Sequence, residues 1–172
     1  LLRPVHPFLG YLGTHLGAVP LRAIAVAPVL VIMMWTSARG VLVTDAAHLA
    51  LVAAAIVGAW LLTFGVFLCL GSLGFFLDKA MGIIEVYFGV FAIMSGYLIP
   101  LALLPGWVRA IAQVLPFRSM LGDPVAIAIG RVPDAGDAAR LVALQWAWAI
   151  GLLALATWLW RTGVRRYEAF GG

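Results

Sequence analysis

The residues that could carry enzyme chemistry are few in this chain. Lys79 is the only lysine and lies between Asp78 and Ala80, whereas a phosphate-binding loop needs Gly-Lys-Ser/Thr at that point. Cys69 is the only cysteine, which excludes a disulfide framework and a thiolate metal cluster. The sequence therefore predicts that no cofactor is bound by this chain and that ATP is not held here.

Histidines, serines and one glutamate offer further kinds of site. The histidines lie outside or at the ends of the apolar stretches, which argues against a zinc site or paired haem ligands: His6, His15 and His48. The serines would need a nearby base to act as nucleophiles, and no apolar stretch holds His or Lys in its interior: Ser37, Ser72, Ser95 and Ser119. Glu85, near the start of a span, is interpreted as hydrated or paired with Lys79. We predict no catalytic residue, no metal site and no enzyme activity.

The composition is that of a helical membrane protein. Of the 172 residues, 65% are hydrophobic and 10% are charged, whereas soluble domains carry about 25% charged residues. The mean hydropathy is +1.09. Strand-like alternation of polar and apolar residues is missing, which argues against an outer-membrane barrel. The net charge of +4 then reflects arginines at a membrane surface, and no nucleic-acid partner is predicted.

Four apolar stretches are long enough to cross a bilayer, for which about 20 residues are needed. The second can end early, at the Gly71-Ser-Leu-Gly74 break, and the fourth carries tryptophans near both ends, as in interfacial aromatic belts. Asp137 could cap the helix that contains the fourth. We predict an all-α polytopic protein with one transmembrane domain, residues 1–172, and spans over 18–38, 46–77, 83–104 and 141–160.

The stretch from Ser95 to Phe117 is too apolar for a solvated loop, and its prolines interrupt it too often for a plain span. A helix between Pro105 and Pro116 could extend only about 15 Å, roughly half of a hydrocarbon core. A backbone broken at membrane depth is tolerated where protein or a water-filled cavity shelters its polar groups. Because such segments are typical of pathways and gates, this one favours transport.

We predict that this segment re-enters from the outer face without crossing. An arginine at mid-bilayer would be costly, so Arg109 should lie near the outer headgroups with Trp107 as an anchor. The residues of the predicted re-entrant segment are Gly96, Pro100, Pro105, Trp107, Arg109, Pro116 and Phe117.

The N-terminal residues predict a short amphipathic helix. Pro7 suits a first helical position, and apolar residues then follow at helical spacing, while Gly10 and Gly13 weaken the helix. Such an element before a span either rests on the interface or docks on a cytoplasmic partner. Its apolar face is Phe8, Leu9, Leu12 and Leu16.

The arginines and the lysine are nearly balanced between the two sides, so two details decide the orientation: the densest basic cluster, and the acidic residues of the opposite side, which are Asp45, Asp123, Asp134 and Asp137. Arg161, Arg165 and Arg166 directly follow the last stretch, so we predict both termini in the cytoplasm and residues 131–140 outside.

The motifs of the broken stretch carry a family resemblance. Gly96-Tyr-Leu-Ile-Pro100-Leu-Ala-Leu-Leu-Pro105-Gly-Trp107, then Leu115-Pro116-Phe117, Asp123-Pro124 and Gly130, resembles the membrane subunit of type-2 ATP-binding-cassette (ABC) exporters. Leu1-Leu2-Arg3-Pro4, Phe75-Phe76 and the closing RTGVRRYEAFGG resemble a bacterial subfamily of that class. The similarity covers essentially the whole chain. Family members have six spans, so the four found here, and a start at Leu1, imply the C-terminal part of a longer permease.

The resemblance implies a transport mechanism without chemistry in this chain. It implies an inner-membrane exporter of two permeases, alike or different, and two cytoplasmic ATPase subunits that bind the ATP and drive alternating access. A coupling helix over 4–17, with Pro4, Phe8, Leu9, Leu12 and Leu16, would contact the ATPase, and re-entrant helices would form from 106–115 and part of 117–130. A membrane-embedded lipid-modifying enzyme would need facing polar groups that the spans lack. A structural subunit of a membrane complex stays open.

Overall fold

The computed structural model describes residues 7–36, 45–77 and 80–168. The elements of these ranges are all helical: Pro7–Thr36 (α1), Ala46–Leu73 (α2), Ala80–Met94 (α3), a 3₁₀ turn Leu101–Leu103, Gly106–Val114 (α4), Phe117–Ala128 (α5) and Ala135–Glu168 (α6). The predicted all-α class is confirmed over these residues. The chain divides into two compact units, Leu1–Leu42 and Val43–Gly172, and α1 is the described part of the first.

The N-terminal unit contains one continuous helix of 30 residues, although Pro20 and Pro28 lie inside it. It begins at Pro7, the first helical position expected from the sequence. The predicted amphipathic segment 4–17 and the predicted span 18–38 are therefore consecutive parts of α1 and not separate elements. Pro4 and residues 37–38 lie outside the described residues.

Within the described residues, two helices are long and apolar enough to cross a bilayer, Ala46–Leu73 and Ala135–Arg165. α2 ends at Leu73 with Gly74 as its C-cap, so the second stretch does end at the predicted glycine break. The third stretch was predicted to reach Leu104, but α3 ends at Met94, because Gly96 turns the backbone at φ +79° and no helix resumes before Pro100. The count of four spans stays a prediction.

The two long helices α2 and α6 pack side by side and run parallel. Contacts between them advance together along both chains: Trp146 Nε1 donates to the carbonyl of Ala54 at 3.1 Å, and Cys69 Sγ to that of Leu152 at 3.4 Å. Further on, the rings of Phe75 and Trp160 meet edge to face, with centroids 5.0 Å apart. A parallel pair requires the chain between the helices to return from one end to the other.

Small residues bring these two helices close together. A Cβ added at Gly58 would lie 2.6 Å from Gln145 Oε1, and one at Gly65 would lie 3.2 Å from Leu152 Cβ. The buried positions of α6 recur at steps of three, four and seven residues, the spacing of a coiled-coil seam, and small residues at such a seam allow close backbone approach in membrane helix pairs. These positions are Ala138, Val142, Gln145, Ala149, Ala156 and Gly163.

Aspartates begin both long helices. Asp45 caps α2 by accepting a hydrogen bond from the backbone N–H of His48 at 3.2 Å; this bond, and then the His48 side chain, hold the pKa of Asp45 below its usual value. Asp134 accepts from the backbone N–H of Asp137 at 2.8 Å and so caps α6. The sequence pointed to Asp137 as that cap, which is wrong: Asp137 accepts instead from Arg140 at 3.1 Å.

Candidate functional site: a broken segment between two parallel helices

The return path between α2 and α6 starts as a helix and then breaks. α3 has 15 residues and is therefore about 22 Å long, against about 42 Å for α2. Its Tyr87 ring lies 6.0 Å from Phe67 in the last third of α2, and its far end comes close to α5, since a Cβ on Gly122 would lie 3.2 Å from the Ser95 carbonyl oxygen. α3 thus returns only part of the way.

Prolines set the starts of the elements that complete the path. Pro100 precedes the 3₁₀ turn, Pro105 precedes α4 and Pro116 precedes α5. The residues before two of them are extended, Leu104 at ψ 148° and Leu115 at ψ 153°, because a proline ring disfavours helical backbone in the preceding residue. The sequence prediction of short helices at 106–115 and within 117–130 is confirmed as secondary structure.

The two short helices run in opposite directions. In α5, Met120 packs with Leu62 and Ala149, near the middle of the long helices, whereas Ile127 packs with Ala55 in the third turn of α2 and Ala138 in the first turn of α6. α5 therefore leads outward from the middle to the end where α2 and α6 begin. The Leu115–Pro116 turn consequently lies about halfway along the long helices.

The last turn of α4 lies at the same depth as that turn. Gln113 and Val114 face the middle of α6 across a cleft whose other wall is Leu144, Ala147, Trp148 and Gly151. Arg109, one turn earlier in α4, shares a pocket with Arg131, which stands shortly before α6 begins. α4 therefore leads inward and α5 outward, and the pair forms a helical hairpin with its tip at Pro116.

Gln145 of α6 joins this hairpin to the two long helices. Its side chain is 1% exposed, and its Nε2 donates to the carbonyl of Ala55 in α2 at 3.0 Å and to that of Ser119 in α5 at 2.6 Å. Its Oε1 has no hydrogen-bond partner among the residues that the structure describes. A single amide group therefore holds three helices together in an apolar environment, where each such bond is costly to lose.

A buried polar cluster stabilises the start of α5. Asp123 is 4% exposed and accepts from Arg118 Nε at 2.5 Å and from the Ser119 hydroxyl at 3.0 Å. Both carboxylate oxygens are thus satisfied within the helix, which keeps a charged pair tolerable away from water. The cluster fixes the first two turns of α5, next to the hairpin tip.

The structure brings the predicted re-entrant residues into one region. Gly96 ends α3, and Phe117 packs against Tyr87 of α3 with ring centroids 6.0 Å apart. Trp107 is 69% exposed. Arg109 Nη2 donates to the carbonyls of Ala102 at 2.8 Å and Leu104 at 3.1 Å, so this side chain also satisfies the end of the 3₁₀ turn.

The predicted coupling residues lie in the first turns of α1, apart from Pro4, which is outside the described residues. Leu9 is 58% and Leu16 is 50% exposed, while Phe8 and Leu12 are half-buried. The four side chains thus lie on one continuous helix, and two of them form an exposed apolar row.

Three polar contributions to this site were missed from the sequence. In the sequence, Gln145 is the one strongly polar side chain of the fourth apolar stretch. Ser119 was considered only as a nucleophile that lacks a nearby base, and Asp123 only as part of the family motif Asp123-Pro124. Trp146, predicted for an interfacial belt, instead donates to the Ala54 carbonyl of α2. Contacts between residues some 90 positions apart, such as those of Gln145 and Trp146 with α2, leave no local signal. The contacts of Asp123 with Arg118 and Ser119 are only five and four positions apart, so helical spacing could have revealed them.

The polar groups of this site that the structure describes make positioning contacts. Across residues 7–36, 45–77 and 80–168, no three His, Cys, Asp or Glu side chains lie close enough to hold a metal ion. Ser72 donates to the Leu68 carbonyl at 2.7 Å, and Ser119 to the Asp123 carboxylate. Their hydroxyls therefore complete helix and cluster contacts.

Comparison with known proteins identifies the family. The family model described as "ABC-2 family transporter protein" matches residues 1–171. No curated protein and no solved structure matches the chain. The matched residues include the proline and glycine motifs that carried the resemblance and both long apolar helices. The chain therefore belongs to the ABC-2 family of transporter proteins and is the membrane permease of an ABC transporter.

Proposed function

We propose that this permease belongs to an exporter, in which the hairpin of α4 and α5 gates the outer end of the pathway. The observation that carries this proposal is the break of the return path between two parallel apolar helices. A hairpin tip held halfway along the long helices can close a pathway from one side only. The transported substrate would then pass beside α4 and α5, which are separate short helices and not parts of one continuous helix.

Orientation follows from the charges at the two ends of the long helices. Arg161 and Arg165 lie near the end of α6, and the positive-inside rule assigns that end to the cytoplasm. The hairpin opens toward the opposite end, where α2 and α6 begin, so it would enter from the outer face of the inner membrane. Both termini are then cytoplasmic.

Energy for transport comes from a partner, because the family implies a separate ATP-binding-cassette ATPase. We assign the contact to the first turns of α1, where Leu9 and Leu16 lie exposed seven residues apart on one helix face. An apolar row of this kind fits a groove on a partner protein. ATP binding by two ATPases would then shift two permease subunits, alike or different, between inward- and outward-facing states.

The coupling contact is tested by paired alanine substitutions in α1. Leu9→Ala with Leu16→Ala should weaken binding of the partner ATPase subunit by about a hundredfold or more and so abolish its co-purification, since each leucine contributes about 1.5–3 kcal/mol when buried and about 1.4 kcal/mol is a tenfold change. The matched control is Leu21→Ala with Ile24→Ala, which truncates two side chains of the same helix, 72% and 70% exposed, within the predicted span. Equal retention of the ATPase by both inserted variants would contradict the coupling assignment.

The orientation is tested by cysteine labelling in a Cys69→Ala background. Ala135→Cys, at the start of α6, should react with a membrane-impermeant thiol reagent in intact cells, and Thr162→Cys, near its end, should not. The reverse pattern would invert the permease and place the hairpin on the cytoplasmic side. It would leave the family assignment untouched.

A further inference from the structure

A pocket of about 540 Å³ lies between the α3–α4 connection, α4 and α5. This volume is within the range of small-molecule sites, about 300–1,000 Å³. Three arginines reach it from three places: Arg109 from α4, Arg118 from the first turn of α5, and Arg131 from the residues that follow α5. Its apolar wall includes Pro100, Leu101 and Ala126.

Each guanidinium keeps donors for a ligand. Arg109 uses Nη2 on two backbone carbonyls, and Arg118 uses Nε on Asp123, so the other N–H groups of both have no hydrogen-bond partner among the described residues. The Arg131 side chain has none in the same ranges. Asp123 is the one described carboxylate paired with any of the three, which leaves two positive charges of the pocket unbalanced.

The backbone holds this arrangement in place. α5 ends in a Schellman motif, in which Gly130 adopts φ +67° and the N–H of Arg131 donates to the Ala126 carbonyl at 2.9 Å. Gly96, which also lines the pocket, ends α3 at φ +79°. Both glycines of the sequence motif therefore fix a pocket wall, and one of them directs Arg131.

We propose that this pocket binds a phosphate group. Guanidinium groups recognise phosphate oxygens through paired N–H donors, and three of them arriving from different elements match the several oxygens of a phosphate better than the two of a carboxylate. The adjoining apolar wall suits a phosphodiester that carries an acyl chain, as in an anionic phospholipid, and a free phosphate anion offers the same oxygens. The site is independent of the ATPase contact and of the direction of transport.

The test measures binding to the purified permease in neutral detergent micelles at constant ionic strength. The probes are phosphatidylglycerol, phosphatidylcholine and inorganic phosphate, each titrated while the thermal midpoint of unfolding is followed, because a ligand that binds the folded state raises it. Arg131→Gln and Arg131→Lys are compared with Arg140→Gln. Arg140 is an arginine at the same end of the molecule, outside the pocket, with a side chain 85% exposed.

Phosphatidylglycerol should raise the midpoint more than phosphatidylcholine does, and Arg131→Gln should weaken its binding at least about tenfold, equivalent to about 1.4 kcal/mol. Arg131→Lys should keep only part of the affinity, because lysine retains the positive charge but lacks the paired N–H donors of the guanidinium group. Binding of inorganic phosphate with the same arginine dependence supports the site and identifies a free anion as sufficient. Equal loss in Arg140→Gln, or no preference for phosphatidylglycerol together with no phosphate binding, overturns the proposal.

Discussion

The α2–α6 pair and the α3–α5 segment are held together by different kinds of contact. The pair uses small residues in long helices, so that Gly58 and Gly65 bring the backbones close and apolar contact covers the seam. The segment uses short helices that are ended by prolines or glycines and held by polar groups, chiefly Gln145 and Asp123. The first arrangement is continuous and resists change, whereas the second depends on a few directional bonds.

This difference agrees with the proposed function, in which the pair is the frame and the segment is the movable part. Close packing over many contacts loses stability in small increments wherever it is disturbed. A short helix held by two or three hydrogen bonds can change position when those bonds are exchanged, without disturbing the frame. A permease needs both properties, and here they lie in adjacent stretches of one chain. Three predictions follow the contrast from its largest expected effect downward.

The largest effect is expected at Gln145, where the two regions meet. Gln145→Glu replaces the donating amide with a carboxyl group that faces the carbonyl oxygens of Ala55 and Ser119, and should lower the free energy of unfolding by about 2–4 kcal/mol. Hydrogen exchange should rise in α5 more than in α6. The control is Gln113→Glu on exposed α4, and a similar loss there would show that Gln145 has no special role.

A smaller loss is expected from Gly58→Ala in the frame. The added methyl group would lie 2.6 Å from Gln145 Oε1 and 2.9 Å from Trp146 Nε1, and both side chains are fixed by their own hydrogen bonds. We expect a net loss of about 1–2 kcal/mol in chemical unfolding within mixed micelles, after the helix preference of alanine is subtracted. Gly71→Ala, in the same helix with nothing within 4 Å, should instead raise stability slightly. Equal responses of the two variants would rule out close packing at Gly58.

The smallest effect is expected where the segment begins. Gly96→Ala forces an L-residue to φ +79° and should cost about 1 kcal/mol, with faster limited proteolysis between α3 and α4. Gly89→Ala, in the exposed middle of α3 with open space around it, should protect the same bonds slightly. If Gly96→Ala is cleaved no faster than the parent protein, the turn after α3 does not need its left-handed residue.

Local rules accounted for the boundaries of the broken segment. Pro105 and Pro116 start helices where the sequence predicted them, because proline restricts itself and its predecessor. α2 ends within the Gly71–Gly74 break, with Gly74 as its C-cap. Met94 as the end of α3 was missed because Gly96 was counted as part of an apolar span, although glycine can supply the αL turn that ends a helix.

Partners across the molecule could not be predicted from the sequence. Lipid and protein interiors are both apolar, so composition does not tell a residue that faces lipid from one that faces a helix. Trp146 therefore matched an interfacial belt, while its donor is used on α2. The two carbonyls that Gln145 contacts lie 90 and 26 positions away along the chain. The exposed and half-buried residues of α1 likewise do not reveal what covers them.

The parallel direction of α2 and α6 has an electrostatic consequence. Parallel helix dipoles add, so both positive ends lie beside Asp45 and Asp134, while the negative end of α6 lies near Arg161 and Arg165. In a bilayer, sliding either helix along the membrane normal would draw a charged cap into hydrocarbon at about 2.5–3.5 kcal/mol per charge. The pair is thus anchored at both interfaces, and vertical motion during a transport cycle falls to α4 and α5 between them, whose N-cap residues Pro105 and Pro116 make no side-chain hydrogen bond.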